Sequence, residues 1–430
     1  MASLTATKTG SVGRGVETIQ RISFWVLLAF AASIPVEDAV QFGIGRLSKV
    51  IGLVAFATWA LLVFLRGRLR PLTPIHLVAT AFVTWCIATY FWSLNPSATV
   101  TKAATLVQMV AVVWLVVDQA HSRYDLIRLM RAFVVGSFVG ALVTMLHASH
   151  GVQPGVRRFA VVSTDTNNTG ALLAVALMLA LYLLVADPKG RWKWVYRAFL
   201  PIAVVNIILT GSRGALLSLA FGLATVLVTT KSLRAGRLLA LVAAGSIALV
   251  LAAALVPQGT LDRLGTTKTE IQSGNLDKRL LYWRTAFRLW GEQPIQGIGL
   301  GSFRDANYQE GNHRAAVAHS AFMSVLVETG SIGWILFLLS VALAAAIAFT
   351  AERAELRRPW IAIWVSWALG AASLTWETRK ITWFLVALGA VHISAVREER
   401  RALAEAAEPL HPALTPDAGM ARQAEPVGGS

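Results

Sequence analysis

Apolar runs long enough to cross a hydrocarbon core, roughly 17–25 residues each, follow one another along most of the chain, separated by short polar turns. They lie at about 22–38, 47–65, 74–92, 101–118, 128–147, 169–186, 196–211, 213–230, 237–256, 322–350, 359–375 and 380–396. The pattern predicts an all-α polytopic membrane protein of about 12 transmembrane helices. One excursion interrupts it: Pro257 to His319 is by far the longest hydrophilic stretch between two apolar runs. The predicted organisation is a cytoplasmic N-terminus at 1–21, helices one to nine within 22–256 and a long external loop at 257–318. Helices ten to twelve follow within 319–397, then a disordered cytoplasmic tail at 398–430.

Orientation follows from Lys and Arg in the short turns. With the N-terminus inside, Arg66, Arg68 and Arg70 are cytoplasmic, as are Arg123, Arg128 and Arg131, and then Lys189, Arg191, Lys193 and Arg197. The alternation continues through Lys231–Arg237, Arg353–Arg358 and Arg397–Arg401, whereas Asn95–Val100 on the other side carries no charge. The long loop is therefore expected on the periplasmic or extracellular face.

Composition agrees with the class. The chain is 56% hydrophobic and 14% charged, too little charge to cover a soluble domain of this length. A net charge of +16 would suggest nucleic acid in a soluble protein. Here it is spread over cytoplasmic turns, where it sets topology and meets anionic lipid, so no nucleic-acid partner is expected. The single cysteine, Cys86, lies in an apolar run, which leaves no disulfide and no cysteine metal site. The first apolar run reads as a retained anchor rather than a cleaved signal.

Candidate chemistry gathers at few places. Arg213, in Gly211-Ser212-Arg213-Gly214, sits where two apolar runs meet almost without a loop. An arginine there either snorkels to headgroups or faces a partner or water. From Gly274 to Trp290, Leu276, Leu280, Trp283, Phe287 and Trp290 form one helical stripe with Arg279 and Arg284 on its margins and Arg288 further round. This predicts an amphipathic interfacial helix, either a lipid anchor alone or a phosphate-level site. The glycines of Pro294–Phe303 superficially match a dinucleotide loop, but no strand precedes them, and a close turn after the interfacial helix is the better reading. His319 opens the return to the membrane, as a capping group or as a chemical one. His313 lies six residues earlier, and a histidine pair without spaced carboxylates does not make a metal site. The loop carboxylates are read as mostly solvated.

Taken together, these segments resemble the O-antigen ligase/polymerase family. The resemblance rests on Gly211-Ser212-Arg213-Gly214, on Arg279 to Trp283 followed by Pro294, Gly297-Ile298-Gly299 and Phe303, and on His319-Ser320 leading to Glu328-Thr329-Gly330-Ser331-Ile332-Gly333. Asp165-Thr166-Asn167-Asn168 resembles a further signature. The resemblance implies a metal-independent, cofactor-free glycosyltransferase of the bacterial inner membrane. Its donor would be a glycan on undecaprenyl diphosphate, and its acceptor lipid A–core in a ligase or a second lipid-linked glycan in a polymerase. It also implies that Arg213 and Arg279 bind the donor diphosphate, with Arg284 the alternative loop arginine, and that His319 is catalytic. His313, Arg288 and Arg158 are secondary candidates. The chemistry is coherent: guanidinium groups stabilise the charge that develops on a diphosphate leaving group, and a neutral imidazole accepts a hydroxyl proton.

Two other classes stay open. A small-solute or anion transporter would place ionisable residues or broken helices at mid-membrane, and the apolar runs read as nearly free of them. A membrane scaffold would have no use for Arg213, Arg279 and His319 together.

Overall fold

The computed structural model describes residues 2–37, 41–42, 45–149, 159, 165–228, 260, 279–309, 316–346 and 354–407. Along them run α1 (Ala2–Ser33), α2 (Leu47–Arg66), α3 (Pro74–Ala88), α4 (Pro96–Gln119), α5 (Arg123–Ser149), α6 (Thr166–Ala186), α7 (Lys193–Leu209) and α8 (Arg213–Val228). After the polar excursion come α9 (Arg279–Glu292), α10 (Phe303–Gln309), α11 (Ala321–Ala345), α12 (Ala354–Ser373) and α13 (Lys380–Ala407). Each apolar run read from sequence falls on one of these helices, except 237–256, which lies outside the described residues. Among the described residues, the one departure from helix-only structure is a small antiparallel pair, β1 (Gln41–Phe42) with β2 (Gly45–Arg46).

Seven helices among the described residues are long and apolar enough to cross a membrane: α1 to α6 and α11. This is fewer than the twelve of the sequence pattern, for local reasons. The apolar parts of α8 and α13 are shorter, Arg213–Val226 and Lys380–Val396. α7 has 17 residues, and α12 carries Glu355, Arg357, Arg358 and an internal Pro359 in its first turns.

Burial separates central from peripheral helices. Of the most apolar stretch of α6, 72% is buried by protein, against 17% for α2. A helix apolar all round belongs either inside the bundle or against lipid; α6 does the first and α2 largely the second. α6 packs on α7, α8 and α12, while α13 runs against α4 and α11.

The two ends of the bundle differ in chemistry. At one end the Trp59 indole and the Arg70 backbone N–H donate to Asp118, at 2.9 and 3.0 Å, with Arg66 at 3.6 Å. Nearby turns place Arg131 3.3 Å from Asp187 and stack Arg128 on Phe24 and Trp25. α4, 24 residues long, carries the chain about 36 Å from there to the end where the candidate residues lie. Asn95 opens that helix, accepting the Ala98 N–H at 3.0 Å, with Pro96 in the first helical position.

Candidate functional site

The i, i+3, i+4, i+7 face of α9 is buried: Tyr282, Thr285, Ala286 and Leu289. It packs with Ile298, Phe303, Ala306 and Val327. The stripe read from sequence is therefore not the covered one; Phe287 remains 50% exposed. Protein occupies one side of the helix, which leaves the aromatic stripe at its margin. At about 100° per residue, Arg279 shares a line with Tyr282, Trp283 and Ala286, while Arg284 points about 140° away and Arg288 lies opposite. Arg279 is half-buried and the other two are exposed.

Tyr282 and Trp283 join this helix to His319. The Trp283 indole donates to the Ala318 carbonyl at 3.1 Å, and the Tyr282 and His319 rings are 6.1 Å apart. His319 is half-buried and has φ 49°, the one positive φ outside glycine among the described residues. Such a conformation costs about 1–3 kcal/mol and is kept only where its surroundings enforce it. The capping duty open to a histidine at a helix start falls instead to Ser320, whose hydroxyl accepts the Met323 N–H at 3.4 Å.

The glycine-rich segment splices α9 to α11 rather than merely closing α9. α11 breaks at Gly330, with φ 67° and ψ −171°. A Cβ there would meet the Ile295 carbonyl at 2.2 Å, so no other residue fits. The amides of Ile298 and Gly299 donate to Val327 and Glu328, both at 3.0 Å, and Ser331 donates to Pro294 at 2.8 Å. The incoming loop thus satisfies backbone groups that the broken helix releases.

Arg213 is the first residue of α8, after the tight turn Thr210–Ser212, and is half-buried. A Cβ on Gly214 would lie 2.9 Å from the Ser373 hydroxyl, so α8 begins hard against the end of α12. α6 meets the same region. Asp165 caps it through the Asn167 N–H at 2.9 Å, and Asn168 accepts the Trp376 indole N–H at 2.6 Å. The structure therefore puts Arg279 on the helix whose Tyr282 and Trp283 reach His319 and Ala318, and places Arg213 on the α6–α12 side. His313 and Arg158 lie outside the described residues, as does 261–278.

The sequence reading missed an ionic cluster. Lys102 Nζ sits 2.7 Å from Glu328 and 2.9 Å from Glu377, and donates to the Ser324 hydroxyl at 3.1 Å. Ser324 in turn donates to Glu377 at 2.7 Å. The three charged side chains are 18%, 6% and 2% exposed. Lys102 in α4 and Glu328 in α11 overturn the expectation of spans nearly free of ionisable residues, as does Asp118 at the other end of α4. Their depth differs from a mid-membrane site, however: Lys102 is the seventh residue of α4, about 9 Å from its start. A lone lysine in an apolar run was the available signal. Asp305, read as solvated, accepts the Asn95 amide at 2.6 Å.

A second ionic group, at the start of α13, anchors this end. Arg379 (3.2 Å) and Lys380 both donate to Glu37, as does the Ser48 hydroxyl at 3.0 Å. Burial alone would raise the Glu37 carboxyl, but the charges of Lys380 and Arg379 and these hydrogen bonds outweigh it and hold the group below its ordinary value.

An apolar helical bundle with a basic helix, a strained histidine and a buried ionic cluster at one end defines a polytopic membrane protein with a polar site at that end. A family model described as O-antigen ligase matches residues 198–338, a segment that holds Arg213, Arg279, His319 and Glu328. Over that segment, about a third of the chain, the protein is similar to the O-antigen ligase family. No curated protein matches the chain.

Proposed function

We propose that the protein moves a glycan from undecaprenyl diphosphate to an acceptor hydroxyl at the periplasmic face, as an O-antigen ligase acting on lipid A–core. The observation that carries this reading is the seating of α9 on His319. Trp283 holds the Ala318 carbonyl at 3.1 Å, and Arg279 lies on the same line of the helix. A group for phosphate and a group for a hydroxyl proton thus belong to one packed unit.

In this reading Arg213 and Arg279 bind the diphosphate, since paired guanidinium groups suit its oxygens. The acceptor oxygen bonds to the anomeric carbon as the sugar–phosphate C–O bond breaks. The electron pair leaves on the diphosphate, where the arginines stabilise it. The hydroxyl proton passes to a neutral His319. The proposal takes about twelve crossings, both termini cytoplasmic, and residues 257–318 outside. Transport is disfavoured because the Lys102 cluster lies about two turns from a helix end, beside the proposed site.

The test is transfer by purified protein in lipid, using the donor and acceptor glycolipids that accumulate in cells lacking it. Wild type should form the linked product, and Arg213→Ala and Arg279→Ala proteins, normally inserted, should lose it at least a hundredfold. Wild-type rates in both variants would refute the anion site.

A further inference from the structure

A cavity of about 580 Å³ opens over the Lys102 cluster, within the range that small-molecule sites occupy, roughly 300–1,000 Å³. Hydroxyl groups line it from three elements: Thr101 and Thr105 of α4, Ser324 of α11, and Thr375 and Thr378 beside Glu377. Arg304, exposed, stands on its wall, and so does Ala318, the residue before His319.

The floor of this cavity is incomplete. One ammonium faces two carboxylates, which leaves a negative charge uncompensated when both are ionised. Glu377 Oε1 is engaged by Lys102 at 2.9 Å and Ser324 at 2.7 Å, whereas the buried Oε2 has no hydrogen-bond partner among the described residues. Glu377 as a whole is 1% exposed. A buried carboxylate oxygen left unpaired is costly, and a carboxylate can only accept. A ligand group that pairs it brings O–H or N–H donors. Positive charge at Arg304 and an acceptor-rich floor beneath suit one ligand class: a hydroxylated sugar ring that carries a phosphate or another anionic substituent.

We infer that this cavity is a sugar subsite, with Glu377 and its partners Lys102 and Glu328 positioning a ring of one glycolipid substrate beside His319, and with Arg304 taking that ring's anionic group. The inference rests on the transferase reading above and adds a binding role for Lys102 and Glu377, which lie outside the family match. Both the donor's linked sugar and the acceptor's sugar have this chemistry, and kinetics tell them apart.

Two variants probe the site. Glu377→Gln keeps shape and removes the charge. Thr101→Trp fills the mouth from an exposed position without touching the buried cluster. Both are assayed in lipid with the donor and acceptor glycolipids isolated from cells lacking the protein, alongside equilibrium binding of each radiolabelled glycolipid. The expected result is a tenfold or greater rise in KM and in Kd for one substrate alone, with kcat changed less than threefold. A rise for the acceptor assigns the ring to it, and a rise for the donor assigns it there. If Glu377→Gln fails to insert, Thr101→Trp alone decides. Unchanged KM and Kd for both substrates, in a protein whose wild type transfers glycan, overturns the subsite while leaving the transferase reading intact. A wild type that binds both glycolipids but never joins them refutes the transferase reading instead, and the Kd comparison still tests the subsite.

Discussion

The Trp283 indole donates to the Ala318 carbonyl at 3.1 Å, one residue ahead of His319. This bond fixes which side of α9 faces the histidine, and it separates three arginines that look alike in the sequence. Arg279 lies on the packed line, and Arg284 and Arg288 are exposed.

Arg279 should accordingly outrank its neighbours. Arg279→Lys keeps the charge but loses the planar fork, and transfer should fall at least tenfold. Arg284→Lys and Arg288→Lys should each stay within about threefold of wild type, a span of about 0.7 kcal/mol. Steady-state rates of the three variants at matched membrane levels rank them, and Arg284 emerging as the most sensitive would move the anion site off the packed face.

His319→Ala should abolish transfer while equilibrium binding of the lipid-linked donor stays near wild type. The imidazole must be neutral to accept the hydroxyl proton. Chelator should leave the wild type active. Loss of activity in chelator, restored by a divalent ion, would instead make His313 and His319 candidate ligands.

The Lys102 cluster predicts a charge-balance signature in stability. Lys102→Met leaves Glu328 and Glu377 buried without their ammonium, a loss of about 3–5 kcal/mol when one partner of a buried pair is removed. Thermal unfolding in detergent should show a clear drop in Tm. Adding Glu328→Gln and Glu377→Gln to the same chain should restore much of it. A single variant as stable as wild type would mean the cluster is not charged as drawn.

Much of this architecture was legible in the sequence, because long apolar runs force helices in a membrane. The tight Gly211–Gly214 turn and the helix start after His319 were legible for the same reason. The packed face of α9 was not. Periodicity marks an apolar stripe, but it does not say whether lipid or protein covers it, and α9 packs on protein along Tyr282, Thr285, Ala286 and Leu289 while Phe287 stays exposed. Lys102, Glu328 and Glu377 were hidden because they lie 49 to 275 positions apart and meet only when α4, α11 and the turn Trp376–Thr378 ahead of α13 converge. Glu328 was visible only as part of a motif, with no sign of its partner.

Sidedness is open to direct labelling. A cysteine placed at Ser273, in a protein with Cys86 replaced, should react with a membrane-impermeant thiol reagent in spheroplasts, and one at Ser232 should not. The opposite pattern would invert the topology and put the site in the cytoplasm.

The most direct measurement is the glycolipid profile of a strain lacking the protein. The account predicts loss of polymer linked to lipid A–core with accumulation of the same polymer on polyprenyl diphosphate, reversed by the wild-type gene and not by His319→Ala. Accumulation of single repeat units would assign polymerisation in place of ligation. An unchanged profile of both lipid-linked pools would contradict glycosyl transfer altogether.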